Sequence, residues 1–179
     1  MAVVATLRSF CERDLPLLDR LAVDPAAMGP FVWFGFKDPR SRRKRWELDG
    51  YVGADSTAVA VALPDDTVAG IASWRPIDRG GAAGGCYELG VALLPEHRGR
   101  GLGTVTHRLL AEHLFGFTLA NRLEALTEAN NVAEQRALER AGFTREGVLR
   151  AASFRAGAWQ DMVLYGVLRE EWKKTAREA

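Results

Sequence analysis

The segment YELGVALLPEHRGRGLGTVTHRLLAEHLFGF, from Tyr87 to Phe117, restricts the possible folds more than any other part of the chain. Its pattern predicts an apolar strand, a loop of alternating glycines and arginines, and a helix with one apolar stripe. Glycines let a backbone approach a ligand closely, and the first N–H groups of a helix are unpaired at the positive end of its dipole. The segment therefore predicts an anion site, above all for phosphate. The predicted apolar stripe consists of Leu102, Val105, Leu109, Leu110, Leu114 and Phe117.

A second strand is predicted directly after that helix, over residues 122–127. A strand, a helix of about 14 residues and a strand make a parallel βαβ unit, in which ligands bind at the carboxyl ends of the strands. The glycine loop lies at that end. Further strands are predicted at 2–8, 57–63, 68–74, 143–149, 151–155 and 160–168, and further helices at 12–21, near 40–48 and from Asn131 to Gly142.

Composition indicates one soluble domain. The chain has 179 residues, of which 47% are hydrophobic and 26% charged, and we expect a core over about residues 4–168 and a polar tail at 170–179 that frays. A net charge of +1 argues against a protein built to bind a polyanion. Cys11 and Cys86 predict neither a disulfide framework nor a metal site. No signal peptide and no membrane segment are recognised, so we expect a cytoplasmic protein.

Two segments before the βαβ unit leave their role open. Residues 26–36 are rich in aromatic side chains, including Trp33, Phe34 and Phe36, which either cap the core or wall a substrate pocket. The basic run at residues 40–45 is predicted to lie on a short helix. It is either a solvated face or a contact for an acidic partner, cofactor phosphates or tRNA.

Four motifs follow one another in a recognisable order. They are Arg98-x-x-Gly101-x-Gly103 after an apolar strand, Asn131-Val-Ala, Leu138-Glu-Arg-Ala-Gly142-Phe143, and Trp159-x-Asp161 followed by Tyr165. Together they resemble the GNAT superfamily of acyl-CoA-dependent N-acetyltransferases, and most of all its ribosomal-protein N-terminal serine/alanine acetyltransferase branch. The resemblance implies a three-layer α/β fold, with a mixed, mostly antiparallel sheet of roughly six to seven strands, a central parallel pair and about four helices.

The resemblance implies acetyl-CoA as the co-substrate. Arg98 or Arg100 would reach phosphate oxygens, and the arm of the co-substrate would pair with the strand end as an added strand. A nucleotide or no ligand are the alternatives, although the loop lacks the Lys-Ser/Thr of a P-loop and the acidic residue of a dinucleotide site. The implied contacts are backbone groups of Val91, Ala92 and Leu93, the loop Arg98, Gly99, Arg100, Gly101, Leu102, Gly103 and Thr104, and the side chain of Asn131.

Acetyl transfer to an amine requires a general base, since the amine must be neutral to attack. Glu88 and Glu124 lie in predicted strands rich in apolar residues, which raise a carboxyl pKa. Either carboxylate could instead face solvent or pair with an arginine such as Arg122. A chain of water molecules would then take the place of a single base. The serine that the branch places three residues after its asparagine is Glu134 here. Glu134 or Tyr165 could protonate the departing CoA thiolate, or the thiolate could leave unprotonated.

The resemblance implies transfer of an acetyl group to a primary amine by direct attack in a ternary complex. The acceptor would be a protein N-terminus or a small-molecule amine, near Trp33, Phe34, Phe36 and Trp159, with backbone N–H near Leu93 stabilising the oxyanion. One alternative is an acyl-CoA sensor without catalysis, which the departure at Glu134 supports. Another is a tRNA-dependent aminoacyl transferase using the basic run. A homodimer fits the family, and neither a membrane nor a nucleic-acid partner is expected.

Overall fold

The computed structural model describes residues 4–35, 37–80 and 85–178, which form a seven-stranded sheet with helices on both faces. Its strands are β1 (Thr6–Arg8), β2 (Thr57–Ala62), β3 (Val68–Pro76), β4 (Cys86–Leu93), β5 (Arg122–Glu128), β6 (Thr144–Arg155) and β7 (Ala158–Leu168). Its helices are α1 (Leu15–Val23), α2 (Pro25–Met28), α3 (Ser41–Asp49), α4 (Leu102–Phe117), α5 (Val132–Ala141) and α6 (Arg169–Glu178), with short 3₁₀ turns at Glu12–Asp14 and Pro95–His97.

The sheet has the order β1-β2-β3-β4-β5-β7-β6, and β4 and β5 are its parallel pair among the described strands. They pair only from Cys86, opposite Arg122, to Leu89, opposite Ala125. Beyond Leu89, the described part of β4 pairs with β3 alone, while β5 continues beside β7. The two central strands therefore separate toward their carboxyl ends and open a cleft there, and the predicted mixed sheet with a central parallel pair is confirmed.

Two apolar cores cover the two faces of the sheet. On one face α4 and α5 bury Leu110, Leu114 and Leu138 against the central strands, and on the other α1 buries Leu18. The predicted α4 stripe is wrong at its end, because Phe117 is 82% exposed and contacts His113 beyond the packed part of the helix. His107, which the apolar pattern passed over, is fully buried in α4.

The C-terminal segment also departs from prediction. The polar tail expected to fray forms α6, because the Arg169 guanidinium donates hydrogen bonds to the carbonyl oxygens of Phe115, Thr118 and Ala120, and Trp172 packs against the core. The two strands predicted at 143–155 are one strand, β6, whose pairing with β7 is irregular between Leu149 and Ser153.

Three further expectations about local structure are confirmed. The basic run lies on a short helix, α3 (Ser41–Asp49), and Gly142 ends α5 in a left-handed conformation with a φ of 99°. Ala156 and Gly157 turn the final hairpin, both with positive φ. In the part of the chain that the structure describes, no helix is long and apolar enough to cross a membrane, and no group of three or more metal-ligating side chains occurs.

Candidate active site

The glycine loop joins the end of β4 to the start of α4. Gly99 and Gly101 have φ values of 70° and 81°, a left-handed conformation that a side chain disfavours. A Cβ on Gly103 would lie 3.3 Å from that of Ala137, so this glycine lets α4 approach α5 closely. α4 begins at Leu102, and its first amides have no intrahelical partners, while the residues from Gly101 to Thr104 line a cavity. The loop therefore has the backbone features on which the predicted anion site depends.

A cavity of about 460 Å³ runs along this loop. The backbone of β4 from Val91 to Leu93 forms one wall, and its edge toward β5 is not paired in the described chain because the two strands have separated. That free edge can accept an extended ligand as an added strand, and the loop amides can bind its anionic group. The side chains and backbone around the cavity also include Asn131, Glu134 and Arg136 from the start of α5.

The Arg98 side chain is held by backbone carbonyl oxygens at the edge of this cavity. Its Nε donates to the carbonyl oxygen of Leu93 at 2.8 Å, and its Nη2 donates to that of Ala27 at 3.1 Å. These bonds use Nε and Nη2 and hold the side chain between α2 and the end of β4, while Arg98 stays exposed and lines the cavity. Arg100 is exposed on the same loop, so a phosphate contact from either arginine stays a prediction.

A second cavity, of about 520 Å³, adjoins the first and shares part of its lining with it. Its walls come from the segment after α2, from α3, and from the ends of β3, β4 and β5. Asn131 and Glu134 contribute to both cavities, so they lie where the two spaces meet. The other residues that line both cavities are Met28, Phe31, Val32, Val91 and Ala92.

Glu124 is not suited to be a general base. It is 2% exposed, and Arg79 binds it at 3.1 and 2.5 Å while Arg122 binds it at 2.6 Å. Burial raises the pKa of Glu124, but the hydrogen bonds and charges of the two guanidinium groups outweigh burial and bring it below its ordinary value. The predicted rise in pKa is therefore wrong, and Glu124 lines neither cavity because these arginines cover it.

Glu88 lines the second cavity, but an arginine also holds it. Arg75 donates to Glu88 Oε1 from Nε at 3.1 Å and from Nη2 at 2.9 Å. The sequence prediction left open whether this carboxylate would pair with an arginine, and it does. The partner is the residue opposite on β3, because β3 and β4 are in register at these positions.

Glu134 has a titratable partner instead. Its Oε1 lies 2.6 Å from Nε2 of His107, which is fully buried in α4. The other ring nitrogen, Nδ1, is buried without a hydrogen-bond partner in the described chain, and the ring contacts Phe143 edge-on. Asn131 Oδ1 caps α5 by accepting a hydrogen bond from the Glu134 amide at 3.4 Å. The sequence gives no local signal for this contact, because its two residues are 27 positions apart.

Glu128 and Arg155 form a buried pair that sequence reasoning missed. Arg155 Nε and Nη2 each lie 2.5 Å from a Glu128 oxygen, and Glu128 is at the end of β5 in the second cavity. The Arg155 guanidinium also lies over the ring of Phe31, 5.5 Å from its centroid. The pair thus ties the segment after α2 to the closing hairpin.

Tyr165 cannot reach the cavities. Its side chain is fully buried between the sheet and α5, where its hydroxyl donates to Glu139 at 2.9 Å. Burial, followed by the bond to Glu139, raises the pKa of Tyr165 to about 12. This position does not support the alternative in which Tyr165 protonates the thiolate, because alternation along β7 turns its side chain toward the helices rather than the cleft.

The predicted aromatic wall is only partly formed by the residues named for it. Phe34 lines the second cavity, whereas Trp33 lines neither cavity, and Phe36 lies outside the described residues. Trp159 is 65% exposed and packs edge-on against Phe154 on the tip of the hairpin, away from the cavities. Phe31 is the aromatic residue of the same segment that lies where the cavities meet.

Comparison with known proteins finds the same architecture. The spermidine N-acetyltransferase from Vibrio cholerae, in complex with CoA and spermine, superposes with a TM-score of 0.78 at 18% identity over 94% of this chain and 98% of that one. A GNAT-family acetyltransferase from Bacillus anthracis gives 0.75 at 20% identity over 95% and 99% of the two chains. At these identities the similarity concerns the fold alone.

Sequence comparison identifies relatives in Bacillus subtilis. The protein named "Probable N-acetyltransferase YjcK" is 31% identical over 60% of this chain and 58% of its own length. YdaF, named provisionally as a ribosomal N-acetyltransferase, is 28% identical over 75% of this chain and 68% of its own. The chain spans only part of two of these relatives, namely 58% of the length of YjcK and 51% of the length of the protein named "Uncharacterized N-acetyltransferase YnaD". The model of the acetyltransferase (GNAT) domain matches residues 5–144, and the chain therefore belongs to the GNAT acetyltransferase family.

Proposed function

We propose that this chain transfers an acetyl group from acetyl-CoA in the first cavity to a primary amine in the second, by direct attack in a ternary complex. One observation carries the proposal: cavities of about 460 and 520 Å³ meet where β4 and β5 separate. Two substrates, one in each cavity, can thus meet without a covalent intermediate on the protein. The family and its CoA-bound structural neighbour support the choice of donor.

The residues of the first cavity suit the donor. Acetyl-CoA supplies an activated thioester, and the loop amides from Gly101 to Thr104, which line this cavity, can bind its pyrophosphate. Arg98, which lines this cavity, and the exposed Arg100 can each add a charge-assisted hydrogen bond to the phosphates. The unpaired edge of β4 at Val91–Leu93 can pair with the amides of the pantetheine arm, and the N–H of Leu93 can stabilise the oxyanion.

Glu134 is the carboxylate that we assign to proton transfer. Three glutamates line the second cavity, and two of them are bound by arginines, Glu88 by Arg75 and Glu128 by Arg155. A permanently charged partner stabilises the carboxylate form and makes it a poor base. Glu134 lies at the junction of the cavities and pairs with His107 instead.

The proton balance of the reaction fits a single carboxylate. An ammonium acceptor first loses one proton to solvent, then its nitrogen bonds to the acetyl carbon as the carbon–sulfur bond breaks. The attacking nitrogen loses a second proton, and the departing sulfur gains one. Glu134 can accept the proton from nitrogen and return it to sulfur, since it borders both cavities. His107 positions this carboxylate through the 2.6 Å contact.

Thiol release from acetyl-CoA with a panel of amines tests the proposal. We expect turnover with at least one amine, and Glu134→Gln should lower kcat about 100-fold while the KM for acetyl-CoA changes little. Glu139→Gln is the matched control, because Glu139 lies on the same helix and borders neither cavity. Acetyl-CoA binding without turnover of any amine would instead favour the acyl-CoA sensor.

The role of His107 is tested by two substitutions. His107→Leu removes the contact with Glu134, and we expect kcat to fall at least about tenfold with little change in either KM. His107→Gln retains a donor near Glu134 and should recover most of that loss. If kcat falls equally in both variants, and the melting temperature falls with it, His107 would have only a packing role in α4.

The tRNA-dependent alternative receives no support from the basic segment. Its cations are mostly neutralised within the protein, because Arg40 and Lys44 bind Asp38, Arg43 binds Asp19, and Arg45 binds Asp49. Cations held in this way have fewer free bonds for a phosphate backbone. The predicted solvated face is thus a network of ion pairs.

A further inference from the structure

The second cavity contains charged groups that are largely paired with one another. Glu88 pairs with Arg75, and Glu128 pairs with Arg155. Arg45 binds Asp49 at 2.8 Å and the carbonyl oxygen of Ser56 at 2.8 Å. These pairs cancel in charge, so they contribute little net attraction for an ionic acceptor.

Two groups of the cavity wall remain without a permanent counter-charge among the described residues. One is Glu134, whose partner His107 is neutral unless protonated. The other is Arg42 on α3, a half-buried residue that lines the cavity without a carboxylate within ion-pair distance. A negative group and a positive group therefore face the same cavity.

The position of Arg42 indicates that its charge is available to the acceptor. Its Nη2 lies 3.5 Å from the sulfur of Met28, and Met28 borders both cavities. The guanidinium thus points toward the region where the cavities meet. Its backbone is held separately, because Tyr51 donates from its hydroxyl to the Arg42 carbonyl oxygen at 2.9 Å. A thioether cannot balance the charge of a guanidinium, so the N–H donors of Arg42 remain available to bind an anion.

We propose that the acceptor is an amine that also carries a carboxylate, with Arg42 binding the carboxylate while Glu134 faces the amine. This assignment rests on the proposed acetyl transfer and names its substrate class. The source can be a free amino acid-like molecule or a peptide whose N-terminal residue has an acidic side chain. Both present the same two groups, and a guanidinium recognises a carboxylate through two parallel hydrogen bonds.

The same charges disfavour a polyamine, the ligand of the Vibrio cholerae structural neighbour. A polyamine presents several cations and needs carboxylates that are free to bind them. In this cavity Glu88 and Glu128 are already bound by arginines, and Arg42 would repel a second ammonium.

Matched acceptors test the assignment on the full chain. Aminobutyrate is compared with butylamine, and a peptide beginning with Glu is compared with the same peptide beginning with Gln; spermidine is the polycationic probe. We expect kcat/KM to be roughly 10- to 100-fold higher for the carboxylate-bearing member of at least one pair. The pair that shows the preference identifies the source as small molecule or peptide.

Arg42→Met should abolish that preference by raising the KM for the acceptor, with the KM for acetyl-CoA unchanged. Arg43→Met is the control from the same helix, since Arg43 pairs with Asp19 and does not line the cavity, and it should retain the preference. Equal use of both members of each pair, preferred use of spermidine, or a preference that persists in Arg42→Met would overturn the assignment.

Calorimetric binding of the same acceptors to the CoA-loaded chain separates this assignment from the proposed reaction. Binding of aminobutyrate or the Glu peptide that is lost in Arg42→Met, without any acetylation, would sustain the carboxylate site and refute the transferase proposal. The absence of both binding and turnover would refute both. Turnover without a carboxylate preference would refute only the carboxylate site.

Discussion

Replacing Glu124 by Gln should destabilise the protein without impairing chemistry. Glu124 is 2% exposed and accepts hydrogen bonds from both Arg79 and Arg122. Removing one partner of a buried ion pair costs about 3 to 5 kcal/mol. We expect the lower end, about 3 kcal/mol, because Arg122 keeps Glu146 as a partner and the Arg79 side chain is 55% exposed. For a domain of this size the melting temperature should fall by roughly 6 to 12 °C.

The loss should depend on pH with a definite sign. The pKa of Glu124 in the folded protein lies below its ordinary value of 4.5, so the charged form is favoured by folding. Its contribution to the free energy of unfolding is therefore complete above that value and declines as the pH falls through the lower, folded-state pKa. The difference between wild type and Glu124→Gln should shrink under acidic conditions.

Chemical denaturation and thermal melting across pH measure the effect, and initial rates of thiol release below the melting transition measure activity. Glu88→Gln is the control for stability, because Glu88 lies opposite Glu124 in register but its partner Arg75 is mostly exposed. We expect it to change the free energy of unfolding by about 0.5 kcal/mol or less. A Glu124→Gln variant of native stability, or one that is fully folded but inactive, would refute the structural role given to this residue.

Two further substitutions test the fold around the site. Tyr165→Phe should lower the free energy of unfolding by about 1 kcal/mol, through loss of the hydrogen bond to Glu139, and should leave kcat within about twofold of the wild-type value. A large loss of kcat would show that Tyr165 takes part in the reaction. Gly70→Ala should lower the free energy of unfolding by about 1 to 3 kcal/mol, because the added Cβ would lie 2.3 Å from the Ala92 carbonyl oxygen. Gly147→Ala is the control and should be nearly neutral, because the space around Gly147 is open. Equal melting temperatures for the two variants would refute the close packing of β3 on β4.

Much of the fold was predictable because its signals are local. A period of two in the strands, a period near 3.6 in the helices, and a glycine where α5 needs a left-handed residue at Gly142 all depend on near neighbours in the chain. The glycine loop between β4 and α4 was predictable for the same reason. The tail was not, because α6 is stabilised by Arg169 contacts to residues about 50 positions away.

The sequence alone could not predict which of the candidate glutamates is free of an arginine partner. It determined that glutamates follow the strands near the cleft and that Glu134 replaces a serine of the related branch. The tertiary structure decided which of them an arginine neutralises, because Arg79 and Glu124 are 45 residues apart, and Glu134 and His107 are 27 apart. Ion pairing depends on the register of the sheet and the packing of helices on it, neither of which is a property of neighbouring residues. The sequence by itself therefore predicted the glycine loop and, through its resemblance to a family, the reaction class, and only the assembled sheet separated a buried structural carboxylate from one that borders both cavities.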